Sequence, residues 1–467
     1  MDGQSSTTQS PQSEQSLYES AAKIHAREVD GLFDRLRHYS TVILLGVYYL
    51  TPWLMWDDRQ AILFDLPARR FYIFGLTFWP QDFFYMAWLL IIAGVALFFF
   101  TALAGRLWCG YACPQTVWTN AYVWMERITE GNRSRRVKLD KAPWNREKVL
   151  RKGAKQFLWI TFSLWTGFTF VGYFTPILEL AREVVTLTTG PWETFWVLFY
   201  SFATYGNAGI MREQVCKYMC PYARFQSAMF DDDTLVVSYD TARGEPRGSR
   251  RRSEAREERG LGDCIDCTLC VQVCPTGIDI REGLQYECIA CAACVDACDG
   301  VMDKMGYARG LVRYTTENAL EGGKSRVLRP RTVIYGTLLL ILIVGLAGAL
   351  LNRAELRLDV LRDRNALYRE LASGQVENVY SLKLTNKTKT DFDVVLTVTG
   401  LPGLSVDNET SRFAAPAGEL TTIAARVQVE PSQSRGGGHA ITFTATAADN
   451  PEISVESTSR FFLPLPR

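Results

Sequence analysis

The chain has 467 residues, 48% of them hydrophobic and 22% charged, with 51 Lys and Arg against 50 Asp and Glu. A formal charge of +1 lacks the basic excess with which a nucleic-acid binder meets phosphate. Only three His are present, His25, His38 and His439, and none lies deep in an apolar run, which excludes an intramembrane histidine pair for haem.

The mean hydropathy of −0.03 averages five long charge-free runs with very polar segments. Residues 1–37 open on a Ser/Gln-rich stretch, Met1 to Gln15, where a secretory signal would be basic and then apolar, and read as a disordered cytoplasmic tail. The runs are Tyr39 to Trp56, Phe83 to Gly105, Phe157 to Leu178, Thr194 to Met211 and Thr332 to Leu351. A hydrocarbon core about 30 Å thick needs about 20 apolar residues per helix, so each reads as a transmembrane span. Trp53, Trp56, Trp79, Trp88 and Trp192 lie near run ends, where interfacial anchors belong.

Lys and Arg set the orientation. The segment from Arg106 to Lys155 carries twelve, the loop from Asp57 to Asp82 three, and the loop from Glu179 to Glu183 only Arg182. The reading is a bacterial inner-membrane protein with a cytoplasmic N-terminus. It has four spans over 38–211, a cytoplasmic segment over 212–331, a fifth span over 332–351 and a periplasmic domain over 352–467.

The second and fourth runs are each followed by Cys-x-Tyr-x-Cys-Pro: Cys109, Tyr111, Cys113, Pro114, and then Cys216, Tyr218, Cys220, Pro221. On one helix, positions i and i+4 share a face, so each pair can present two thiols in one direction. Pro114 and Pro221 end or kink that helix, or open the next. Repetition suggests a span-pair duplication presenting four sulfurs at one membrane depth. Without nearby His, such a soft site suits Cu(I) or an iron–sulfur centre, and a redox-active dithiol is the third option. The bland alternative is two unrelated pairs of buried Cys packing helices. Met211 and Met219 are packing residues or extra thioether donors.

The charge-dense segment 243–260 reads as a solvated linker or lipid-headgroup contact. Next come Cys264-x2-Cys267-x2-Cys270-x3-Cys274-Pro275 and Cys288-x2-Cys291-x2-Cys294-x3-Cys298, the two-cluster ferredoxin run written twice. Three thiolates of each run hold one 4Fe-4S cluster and the fourth crosses over. This assigns Cys264, Cys267, Cys270 and Cys298 to one, and Cys288, Cys291, Cys294 and Cys274 to the other. Zinc sites pair two Cys-x2-Cys units across a longer gap. Asp299 stands where Pro usually follows the last Cys.

The last 169 residues contain no Cys. Alternating runs such as 379–384, 392–398, 422–429, 441–446 and 453–457, broken at Gly403, Asp407 and Arg435 to Gly438, indicate a seven-stranded antiparallel sandwich of about 100 residues. It resembles an immunoglobulin-like domain without the disulfide, and partner docking is its default role. Asn386 and Asn408 match the glycosylation pattern by chance. The expected fold class is thus a multidomain membrane protein: a five-helix transmembrane bundle, a cytoplasmic two-cluster ferredoxin-like insert and a C-terminal all-β immunoglobulin-like sandwich.

This order of parts resembles the FixG/RdxA/CcoG family of cytochrome c oxidase accessory proteins, over nearly the whole chain after about residue 35. The resemblance implies a membrane polyferredoxin that reduces Cu(II) to Cu(I) for assembly of cbb-type cytochrome c oxidase. It implies the oxidase assembly machinery and copper chaperones as partners, beside membrane lipid and a cytoplasmic electron donor. The eight Cys from Cys264 to Cys298 are then the cluster ligands, and Cys109, Cys113, Cys216 and Cys220 the candidate catalytic, copper-binding or redox thiols. Two other functions compete. One is a quinol-linked conduit to a periplasmic reductase, because the Cys-x3-Cys-Pro pairs are shared with quinol dehydrogenases of the NapH and NosR kind. The other is a non-redox scaffold that binds the oxidase through its tail.

Overall fold

A computed structural model describes residues 24–464 apart from 253, 255–259, 364–365, 389, 409 and 431–435. Most of the expected disordered tail, part of the charged segment and the turn at Arg435 therefore lie outside the described residues. Each of the five apolar runs contains a helix, but the helix ends depart from the run ends for local reasons. Helix α1, Leu32–Leu50, begins before Tyr39 and stops where Pro52 sits in a tight 3-10 turn. Helix α2, Phe83–Ala104, fills the second run. Beyond it come the short α3, Leu107–Tyr111, and α4, Pro114–Glu130. Helix α5, Arg146–Val171, is capped by Asn145, whose side chain accepts from the Lys148 N–H at 2.8 Å. Helix α6, Pro191–Thr204, gives way to a π-helical segment, Tyr205–Met211. Then follow α7, Pro221–Ser227, α8, Ala293–Met305, and α9, Pro330–Leu351.

Among the described residues, two helical stretches are long and apolar enough to cross a bilayer by composition alone, Pro80–Ala104 and Pro330–Leu351. The other three fall short for visible reasons. Helix α1 starts with Asp34, Arg35 and Arg37, α5 starts with a basic turn, and α6 is only 14 residues long before it widens.

The chain divides into two units, one made of residues up to Leu66 with Leu90–Leu339, the other of Pro67–Leu89 with Leu340–Arg467. In the first, α4, α5 and the π-helical segment meet around buried Tyr122, Met125, Trp159 and Ala208. Gly167 brings α5 against α6, since a Cβ there would lie 2.3 Å from the Val197 carbonyl oxygen. Two expectations are corrected here. Residues 24–37 are built into the fold: Arg27 N–H donates to the Gln272 carbonyl at 2.8 Å, and Arg133 and Arg136 bond the carbonyls of His25 and Ala26 at 2.7 and 3.0 Å. The charged segment is in part a packed strap and not a solvated linker. Arg243 binds Asp263 at 2.6 Å and the Arg309 carbonyl at 3.0 Å, and Arg250 lies over the Tyr307 ring at 5.2 Å.

The C-terminal part of the second unit, from Leu356 on, holds two antiparallel sheets. In one, strand 376–386 pairs with 420–429 on one side and 356–362 on the other; in the second, 437–447 lies between 392–399 and 454–463. Alternation sends Tyr380, Leu382 and Leu384 into a core with Val394, Leu396, Val427, Phe443 and Phe461, leaving Ser381 and Lys383 half-buried between them. Among the described residues of these two sheets, seven strands are four residues or longer, and two more, 369–370 and 405–406, are short additions. Asn386 is fully buried, its amide bonded to the Thr390 and Ala415 carbonyls. At the start of α2, buried Asp82 accepts from Lys387 at 2.7 Å and Arg353 at 2.6 Å.

Candidate functional site

The two Cys-rich runs fold alike. Asp266 and Thr268 flank Cys267, Ala290 and Ala292 flank Cys291, and all four adopt φ between 52° and 56°. Left-handed backbone at a non-glycine residue costs of order 1–3 kcal/mol and persists only where surroundings impose it. Its repetition at matching positions in both runs marks two built cradles. Cys264, Cys267, Cys270 and Cys298 line one small cavity. Cys274, Cys288, Cys291 and Cys294 line another, which Cys270 also touches. These are the two sets that a crossed-over fourth ligand requires.

Among the described residues no three His, Cys, Asp or Glu side chains stand close enough to hold a single metal ion. A cubane cluster carries its own bridging sulfides and is met by thiols that stand apart, so the cradles fit such a group. Burial pushes the Cys288 and Cys298 thiols up to about 12, Cys270 to about 11, and Cys291 and Cys294 upward as well. Such thiols become anionic only against a bound cation. The cradles differ in exposure, for Cys267 is exposed and Cys291 buried. Asp299 explains the missing proline: α8 runs on through Cys298 to Met305, and the Asp299 carboxylate accepts from the Gly310 N–H at 2.8 Å.

The Cys-x-Tyr-x-Cys-Pro copies are also built alike, though not as one continuous helix each. Cys109 sits in α3, whereas Cys113 is the extended residue before α4; Cys216 sits in a π-helical turn, and Cys220 is the extended residue before α7. In both copies the second Cys closes a wide turn, Cys113 N–H to the Trp108 carbonyl at 2.9 Å and Cys220 N–H to the Val215 carbonyl at 2.8 Å. The simple i, i+4 picture is thereby corrected. Pro114 and Pro221 each open the following helix, where a missing N–H is harmless.

The four thiols are near enough to influence one another's charge, but among the described residues no three of them stand close enough to hold one metal ion, so a single four-sulfur copper site is not formed. Burial pushes Cys109 up to about 12, with Cys113, Cys216 and Cys220 adding to the rise and Arg106 opposing it. Cys216 rises to about 11, chiefly by burial and then by Cys113 and Cys220. Burial also raises Cys113, against which the backbone N–H groups of Gln115 and Thr116 pull. The Cys109 thiol donates to the Oε1 of fully buried Gln226 at 3.3 Å.

This neighbourhood abuts the second cradle. Gly110 has no room for a side chain: a Cβ would lie 2.8 Å from the Ile289 carbonyl oxygen and 3.0 Å from that of Ala290 and from the Cys291 Cα. Arg106 bonds the carbonyls of Tyr286, Ala223 and Cys288, the last at 3.2 Å, and feels Cys109, Cys216, Cys220 and Cys288 alike. Tyr111 approaches the Cys291 carbonyl at 3.5 Å, and Tyr314 donates to that of Ala290 at 2.5 Å. Arg106, Gly110 and Gln226 carry no signal in sequence, since an Arg at a run end reads as a topology marker and a Gly between two Cys as a spacer. Met219 stands exposed and is not a packing residue.

A family model described as a 4Fe-4S dicluster domain matches residues 211–317, a 4Fe-4S binding domain matches 86–130, and an IG-like fold at the C-terminal of FixG matches 346–464. The nitrogen fixation protein FixG of Rhizobium meliloti is 40% identical over 427 residues, covering 84% of this chain and 82% of that protein. Protein RdxA of Cereibacter sphaeroides is 43% identical, covering 83% and 84%, and protein RdxB of the same organism 42% identical, covering 87% and 89%. With its iron–sulfur cradles and immunoglobulin-like end, the chain belongs to the FixG/RdxA family of iron–sulfur electron-transfer proteins.

Proposed function

We propose that the chain is an inner-membrane cupric reductase serving assembly of cbb-type cytochrome c oxidase, in which two dithiols, Cys109 with Cys113 and Cys216 with Cys220, receive Cu(II) and retain the product Cu(I). The observation that carries this reading is the contact of the first thiol motif, at Gly110 and Arg106, with the loop bearing Cys288 and Cys291. A bound 4Fe-4S cluster supplies reversible one-electron chemistry. Thiolates favour Cu(I) over Cu(II), so they draw the couple toward reduction. Arg106, poised between Cys288 and the thiol set, offsets negative charge on either side. Exposed Cys267 marks the face for a cytoplasmic donor. The immunoglobulin-like sandwich serves docking of the assembly machinery and copper chaperones.

Replacing either pair, Cys109 and Cys113 or Cys216 and Cys220, with Ser is expected to abolish Cu(I) formation, read with a Cu(I)-specific chelating dye, while iron content stays unchanged. Copper reduction at the unaltered rate in the quadruple variant would move the reaction elsewhere.

The reading includes five spans with the sandwich periplasmic. Exposed apolar faces on α1, α2, α6 and α9 support embedding, among them Val42, Ile43, Leu90, Phe202, Ile334 and Ile341. The ion pairs of Asp82 with Lys387 and Arg353 support a first loop and tail on one side. A reporter fused after Arg467 is expected to be active only in the periplasm, and one inserted near Arg250 only in the cytoplasm. Cytoplasmic activity of the first fusion would overturn the topology.

A further inference from the structure

A cavity of about 400 Å³ lies between α1, α4 and α5, a volume typical of small-molecule sites. Its walls are of two kinds. Val42, Leu45, Trp124 and Phe162 make an apolar side, and Val42 and Trp124 are themselves exposed, at 67% and 56%. The opposite end carries Asp34, Arg37, His38 and Arg127. The His38 ring meets the Asp34 carboxylate at 3.5 Å, and that carboxylate also takes Arg37 at 2.5 Å. An acyl chain alone would need no such polar end.

The polar end is also joined to the second cradle. The N–H groups of Phe33 and Asp34 donate to the Asp296 carboxylate at 3.3 and 2.8 Å, and Asp296 lies on α8 between Cys294 and Cys298. Arg37 lines both this cavity and a smaller one bounded by Ile289 and Cys216.

We propose that this cavity binds a lipid-soluble quinone, its ring between the apolar walls and one ring oxygen hydrogen-bonded to the His38–Asp34 pair. The class follows from the combination: a flat apolar body, two polar oxygens, entry from an apolar face, and a proton acceptor beside a redox centre's ligand loop. A quinol held there loses two O–H protons and two electrons to become the quinone. The protons leave by His38 and Asp34 to water. The electrons reduce two Cu(II) to two Cu(I), and only this choice of acceptor rests on the cupric-reductase reading.

The test is photolabelling of the full chain in lipid nanodiscs with an azido-ubiquinone, read by peptide mass spectrometry. Labels are expected on residues 34–45 and 120–127, and excess decylubiquinone should remove them. Val42→Trp, which fills the cavity from an exposed position, should lower labelling at least tenfold with iron content unchanged. His38→Leu should raise the decylubiquinone concentration needed for competition about tenfold. Labelling spread along all apolar helices and not competed, as for mere partition into lipid, would overturn the site, as would undiminished labelling of the Val42→Trp variant. Competed labelling in a protein whose thiol-pair variants still reduce copper would sustain the quinone site and remove the copper reading. Dithionite-driven copper reduction that needs both pairs, with no competed labelling, would do the reverse.

Discussion

Chain purified without oxygen is expected to carry about eight iron and eight acid-labile sulfide, from two cubanes each held by four thiolates. Cys294→Ser should bring both to about four, because the cavity lined by Cys274, Cys288, Cys291 and Cys294 loses a ligand while that of Cys264, Cys267, Cys270 and Cys298 does not. Cys274→Ser is the sharper variant. Its neighbours in sequence belong to the first run, yet its cavity partners belong to the second, so EPR of the reduced protein should lose the signal that Cys294→Ser also removes. Loss of the other signal would refute the crossed pairing, and stoichiometric zinc without labile sulfide would refute both cradles.

Glu126→Gln is expected to cost about 3–5 kcal/mol of stability, the penalty for leaving buried cations without their anion. Glu126 is fully buried on α4 and meets Arg212 at 2.7 Å, Arg136 at 3.6 Å and Lys155 at 4.0 Å. Each of these cations is itself buried, and desolvation already lowers the Lys155 pKa. Arg212 follows the π-helical segment and precedes the second thiol motif, so Glu126 anchors that motif to the helix opened by Cys113 and Pro114. The thermal midpoint in detergent should fall, and Cys216 and Cys220 should alkylate faster. Glu126→Met with Arg212→Met should recover part of the loss, since an apolar pair needs no solvation. An unchanged midpoint for the single variant would contradict the assignment.

The sequence carried the helical runs, the cysteine spacing and the alternation of strands, because each is a local pattern. Tyr380, Leu382 and Leu384 face the core as period two requires. What it could not carry depends on contacts distant along the chain. The polar start of α1 is helical because Asp296, more than 250 residues away, caps it, and the basic start of α5 is tolerated because Lys148 reaches the Asp140 carbonyl at 3.0 Å and Lys152 finds Glu130 at 3.0 Å. The proximity of the two thiol motifs was likewise invisible, for a spacing of 107 residues says nothing of tertiary neighbours. Pairing on one helix face failed for a local reason: a proline directly after the second Cys ends one helix and begins another.

The unequal exposure of the two cradles sets an order of failure. Molecular oxygen or a small chelator reaches the thiol of Cys267 from solvent, while Cys291 is shielded by Gly110 of the first motif and by a cluster that takes in Val29, ahead of α1. Damage therefore proceeds inward, and the outer centre acts as a fuse. An aerated sample is expected to lose the iron and sulfide of the outer centre first and to keep, for a time, an intact inner one.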